Sequence, residues 1–139
     1  MRRPEEVFIL VRRGDEYLVV HRSPRQGSYW HFVAGALEPG ETFAEAAARE
    51  LREETGLVAE PADVDRTFAY SLAEEPERLP AYPPGTERIV VHSFLVEAPP
   101  GWEPTLDWEH DDYRWCSAEA AAELLYWPEP AEVLRELAR

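Results

Sequence analysis

The sequence predicts an α/β (α+β) domain, and three observations carry that reading. They are a pair of apolar runs across a Gly-Asp turn near the N-terminus, one Ala/Glu/Leu/Arg-rich helix set among strand-like segments, and two helices at the C-terminal end. With 139 residues, 45% of them hydrophobic, the chain has material for one core that removes about two-thirds of the unfolded surface from water. No linker or repeat divides it, so residues 1–139 are expected to form a single domain.

Taken in order, residues 7–13 and 16–22 flank Gly14-Asp15 and read as a β-hairpin. A polar loop over 23–28 leads to a short strand at 29–33 that ends at Gly35, and Glu38-Pro39-Gly40-Glu41 reads as a turn. Thr42 is the expected N-cap of a helix over 43–55, and Gly56 stands where a left-handed C-cap stops it. Strands are expected at 66–72 and 87–96. The proline-rich stretch 73–86 between them is a loop, either a surface excursion or a lid over a site. Residues 113–116 read as the last strand, Ser117 as an N-cap and 118–126 as a helix. Pro128 and Pro130 then introduce a final helix over 131–138.

Charge narrows the function. Fourteen basic against 28 acidic residues give −14, which argues against sequence-independent binding to a nucleic acid duplex. Every basic residue is arginine, so a Walker-type Gly-Lys-Ser/Thr loop and Schiff-base chemistry are excluded. One cysteine cannot build a disulfide framework, and Cys116 reads as a small buried hydrophobe. No apolar run follows the charged start Met1-Arg2-Arg3. A cytoplasmic protein that neither is secreted nor spans a membrane is therefore expected.

Projected at about 100° per residue, Glu50, Glu53 and Glu54 fall in one arc with Phe43 and Ala46, while Glu45, Arg49 and Arg52 take the other side. Three carboxylates turned toward the protein body need a counter-charge, and with no lysine in the chain a divalent cation is the economical partner. Hard ions such as Mg²⁺ or Mn²⁺ accept carboxylates and keep waters for a phosphate. On the helix alone, a solvated acidic face explains the glutamates as well.

The flanking spacing decides between them. Gly35, five residues, Glu41, seven residues, Arg49-Glu50-Leu51, one residue, Glu53-Glu54, one residue, Gly56-Leu57 resembles the Nudix box, G-x5-E-x7-R-E-U-x-E-E-x-G-U with U aliphatic, at every specified position. The resemblance implies the Nudix fold, an α/β/α sandwich with a mixed central sheet and helices on both faces. It also implies a hydrolase that uses Mg²⁺ or Mn²⁺ to cleave a diphosphate linkage in a nucleoside diphosphate derivative. By position, Glu50, Glu53 and Glu54 resemble the family's metal ligands, with the Gly35 carbonyl joining them, and Glu41 and Arg49 resemble residues that brace loop and helix. Ala36 stands where the family commonly has a second glycine.

The box leaves the general base open between Glu50 and a carboxylate of a later loop, with Glu103, Asp107, Glu109, Asp111 and Asp112 as candidates. Glu109 is favoured, because the Glu109-His110 pair resembles a family segment whose glutamate reaches the metals. Arg22 resembles a phosphate-contacting arginine, and Trp30 or Tyr29 offers a plane for a base. His31 and His92 read as strand histidines rather than ligands. Residues 29–41, 82–87 and 108–127 resemble the dihydroneopterin triphosphate (also deoxyadenosine triphosphate) pyrophosphohydrolases, which implies release of pyrophosphate from a nucleoside or pterin triphosphate. ADP-ribose, a dinucleoside polyphosphate and an oxidised deoxynucleotide are the alternative substrates. A nucleotide-sensing module that has lost turnover is the reading from another class, and it is disfavoured because no box carboxylate is missing. The expected partner is this small molecule, and the chain is either a monomer or a homodimer.

Overall fold

The structure, a computed structural model, describes residues 1–138. Strand β1 (Glu5–Arg13) is apolar on both faces because both are covered: Val7, Ile9 and Val11 enter one core, and Phe8 and Leu10 the other. It turns through Gly14 (φ 60°) into β2 (Glu16–Arg22). The two strands pair only near the turn, at Arg12 with Tyr17 and Arg13 with Glu16, and then diverge. Into that fork run two short strands in place of the single expected one. β3 (Trp30–His31) pairs with the end of β2, and β4 (Val33–Ala36) pairs with β1, setting Val7 opposite Gly35.

Helix α1 (Phe43–Thr55) has the expected bounds. Its capping box is complete, since Thr42 accepts from the Glu45 amide and Glu45 accepts from the Thr42 amide, and Gly56 closes it in the left-handed conformation at φ 81°. β5 (Ala62–Ser71) is an edge strand with an irregularity between Asp63 and Thr67, a polar start that hid its first residues from apolar patterning. β6 (Arg88–Glu97) lies parallel to β1 and antiparallel to β5. β7 (His110–Ser117) pairs with β2 along its length and begins three residues before the expected strand, its early residues Asp111 and Asp112 being exposed. Helices α2 (Ala118–Leu124) and α3 (Pro128–Leu137) complete the chain.

The sheet is thus mixed, and it carries helices on both faces, as expected. Ala46, Ala47 and Leu51 of α1 pack on Val7, Ile9, Leu18, Val20 and Phe94. Ala121, Ala131 and Leu134 of α2 and α3 pack on Phe8, Val19 and Phe32. The 73–86 stretch runs over that second face. Leu72 and Tyr82 sit in its core, and Arg78 donates to the Tyr70 and Tyr82 hydroxyls at 3.1 Å each. Among the described residues no helix is long and apolar enough to cross a membrane.

Candidate active site

The fork between β1 and β2 places Gly35 directly beneath α1, and the missing side chain there leaves the space that the Glu50 carboxylate occupies. A Cβ on Gly35 would overlap the Glu50 carboxylate, lying 2.6 Å from Oε2 and closer still to Cδ and Oε1. Arg49 then fixes the acidic groups around it. Its Nε and Nη2 donate to the two Glu41 oxygens at 2.7 and 2.9 Å, its Nη1 to Glu50 Oε1 at 2.9 Å and Glu53 Oε2 at 3.2 Å, and Nη2 also to the Ala36 carbonyl at 3.0 Å. The helical projection sets Arg49 on the outer side of the helix. The long side chain instead folds back along the surface to reach the loop, leaving 14% of it exposed. Those hydrogen bonds hold the Glu41 carboxyl below the usual range against the opposing effect of burial.

Glu54 is the deepest of the box carboxylates, 2% exposed, and neither of its oxygens has a hydrogen-bond partner among the described residues. Burial pushes its carboxyl well above the usual range, and the neighbouring Glu50, Asp107 and Glu109 push it further. Glu50 is raised too, first by burial, with contact to Glu54 and Arg49 opposing. An unpaired buried carboxylate is costly, so this arrangement fits a cation: the orphaned oxygens of Glu54 supply hard donors, and Glu50 stands beside them. Glu53 fits less closely, being half exposed and held by Arg49. Among the described residues, no three His, Cys, Asp or Glu side chains stand ready as a complete ion-binding set.

Above these groups opens a cleft of about 420 Å³ lined by Arg2, Arg3, Arg22, Gly35, Arg49, Glu50 and Glu109. Arg22 is braced by Gln26, donating to its side chain at 2.8 Å and its carbonyl at 3.1 Å. Arg3 donates to the Glu38 and Glu41 carbonyls at 3.0 and 2.8 Å and so ties the chain start to the loop before α1. Arg2 and Arg3 escaped the sequence reading because only the pairing of β1 with β4 carries them to the cleft. Their arginine type in a chain of net charge −14 was the available signal.

Of the candidate bases, Glu109 lines the cleft with Glu50. Glu103 is elsewhere, bound to Arg13 at 2.8 Å and Trp115 Nε1 at 3.0 Å, and Asp111 pairs with His21 Nδ1 at 2.6 Å. Asp112 accepts from the Tyr113 amide at 2.8 Å, and Asp107 from His110 at the same distance. The structure does not bring Trp30 to the cleft. Side chains alternate along β2 and β3, and Trp30 falls on the face that packs against α2 and α3, with the Arg114 guanidinium 4.7 Å from its ring centroid and His21 at 5.0 Å. Tyr29 lies nearer the cleft, 5.6 Å from the Arg22 guanidinium. His92 stacks on Phe43, as a strand histidine can, whereas His31 Nδ1 is buried without a partner among the described residues.

Comparison with known proteins shows the family and the fold. The family model described as the NUDIX domain matches residues 2–137. A Myxococcus xanthus protein named octanoyltransferase is 38% identical over 136 residues, which cover 96% of this chain and 35% of that protein, so the chain spans about a third of that relative's length. The dihydroneopterin triphosphate diphosphatase of Escherichia coli (strain K12) is 31% identical over 129 residues, covering 88% of this chain and 84% of that one. The solved structure of the E. coli dihydroneopterin triphosphate pyrophosphohydrolase superposes with a TM-score of 0.84 at 25% identity, covering 99% of this chain and 96% of that one.

Proposed function

Because the chain belongs to the Nudix family, we propose that it is a divalent-cation-dependent pyrophosphohydrolase that splits a nucleoside or pterin triphosphate into the monophosphate and pyrophosphate. The observation that carries this reading is Glu54, a buried carboxylate with two unpartnered oxygens beside Glu50, beneath a cleft edged by arginines. Glu54 and Glu50 would hold the cation, with Glu53 and the Gly35 carbonyl as further donors and Glu109 reaching in from the loop before β7. When bound, Mg²⁺ or Mn²⁺ supplies charge neutralisation of the phosphate oxygens and lowers the pKa of a coordinated water.

The remaining steps belong to the chain's own groups. Arg22, with Arg2, binds the polyphosphate and offsets its charge, which the net −14 of the protein would otherwise repel, while Arg3, its donors taken by Glu5, Glu38 and Glu41, braces the rim of the cleft. Arg49 orients Glu50 and Glu41 rather than the substrate, since its donors are already engaged by the protein. Glu109, on the cleft wall and unclaimed by a side-chain partner among the described residues, takes the proton from the attacking water, which breaks the phosphoanhydride and expels pyrophosphate. The substrate class is supported by the dihydroneopterin triphosphate diphosphatase among the relatives.

The test is a hydrolysis panel of nucleoside triphosphates, dihydroneopterin triphosphate, ADP-ribose and dinucleoside polyphosphates with Mg²⁺ and with Mn²⁺. The expected product from a triphosphate is pyrophosphate, and activity stops in excess chelator. Orthophosphate as the only inorganic product, or no turnover anywhere on the panel, refutes the proposal.

A further inference from the structure

Beneath the cleft lies a buried group that the reaction outlined above leaves idle. His110 opens β7, and its side chain is 1% exposed. Its Nδ1 stands 2.8 Å from Asp107 Oδ1, an acceptor that draws the ring proton to that nitrogen. The Nε2 lone pair is thereby turned inward, 3.4 Å from Glu54 Oε1. Among the described residues, neither Nε2 nor either Glu54 oxygen has a hydrogen-bond partner.

Two buried atoms that face each other without a hydrogen bond between them are bridged either by a proton, which the Glu54 carboxyl or the imidazole can carry, or by a metal ion. Their separation exceeds the range of an N–H···O hydrogen bond, about 2.7–3.2 Å. It matches two donor atoms on one ion, which with bonds near 2.1 Å stand about 3.0–3.4 Å apart. A carboxylate on the far nitrogen is also the arrangement that fixes a metal-binding imidazole.

We propose that His110, its ring set by Asp107, is a nitrogen ligand of the cation held at Glu54, so that this site takes a nitrogen-tolerant ion such as Mn²⁺ in preference to Mg²⁺. The inference rests on the cation-dependent reading above and adds to it a ligand outside the Nudix box. His110 and Glu54 are half a site. Glu50, now held by Arg49, together with water and substrate phosphate, completes the coordination. The preference follows from ligand type: imidazole suits transition ions, whereas Mg²⁺ keeps to oxygen.

The test uses the full chain loaded with Mn²⁺. Pulsed electron paramagnetic resonance is expected to show ¹⁴N modulation that His110→Gln abolishes and His31→Gln leaves in place. Calorimetry is expected to show the Mn²⁺ Kd of His110→Gln raised at least tenfold and the Mg²⁺ Kd by less than threefold. Mn²⁺ bound without ¹⁴N modulation in the unmutated protein overturns the inference, whether or not the variant folds, and leaves the hydrolase reading standing. An unchanged Mn²⁺ Kd in folded His110→Gln also overturns it. Absence of Mn²⁺ binding overturns it as well, and only if turnover is absent too does the hydrolase reading fall with it.

Discussion

Replacing Gly35 by alanine tests the site at its tightest point. The backbone there is outside the left-handed region, so alanine is conformationally acceptable and the whole cost falls on Glu50. The new Cβ would stand 2.6 Å from Glu50 Oε2 and closer to Cδ, whereas ordinary contact needs about 3.5 Å, so the carboxylate must withdraw by about 1 Å or more. That movement breaks the 2.9 Å bond from Arg49 and separates Glu50 from Glu54. Losing one charge-assisted hydrogen bond costs about 1.5–3 kcal/mol, and the stiffer unfolded chain returns about 0.4–1 kcal/mol. The net loss of about 1–2 kcal/mol lowers Tm by several degrees and leaves the protein folded at 25 °C. Turnover suffers far more, because an error of about 1 Å in a catalytic group costs about a hundredfold. The assay is pyrophosphate release at saturating Mg²⁺ alongside a thermal melt. Gly40→Ala is the control: φ is +79° and nothing lies within 4 Å, so it should lose about 1 kcal/mol with unaltered turnover. Gly35→Ala turning over within threefold of the parent would show that Glu50 need not stand where the structure puts it.

Three further outcomes follow from the same geometry. Arg49→Ala strips Glu41, Glu50 and Glu53 of their shared cation and should cost about 2–4 kcal/mol together with most of the turnover, read by melting and kinetics; an unchanged melt removes Arg49 from the site. Glu54→Gln should raise Tm in chelator, because the folded state holds the Glu54 proton more tightly than the unfolded chain and loses stability as pH climbs past the unfolded value. The same variant should lose the Tm increase that Mg²⁺ or Mn²⁺ gives the parent, and a melt that still responds to cation rejects Glu54 as a ligand. His31, depressed to about 3 by burial and then by Arg22 and His110, stays neutral in the fold while the unfolded chain takes up a proton below pH 6.5. Stability should therefore fall by about 2 kcal/mol between pH 7 and pH 5 and go on falling toward pH 3. A melt series in which His31→Gln retains the full slope assigns the loss to other groups.

What the sequence disclosed and what it hid divide along a physical line. Helix α1, its Thr42 cap, the Gly56 stop and the β1–β2 turn are written in contiguous residues, and there the expected bounds of α1 and β2 match the structure, with β1 starting two residues early at Glu5. The site depends on which face of a strand each residue takes, and contiguous patterning carries that only where one face is apolar. β2 illustrates the point: Val20 and Arg22 share the face toward α1, and His21 between them takes the other, so pairing of His21 with Trp30 sends that tryptophan to the face away from the cleft. The same alternation through the β2–β7 register sets Arg22 opposite His110, and this delivers the buried imidazole to Glu54, 56 positions earlier in the chain. A one-residue slip of β7 would bury Asp111 in place of His110 and put a further carboxylate beside Glu54. The irregularity between His21 and Arg22, where β7 advances by two residues for one of β2, therefore falls at the position where pairing decides what faces the acidic cluster.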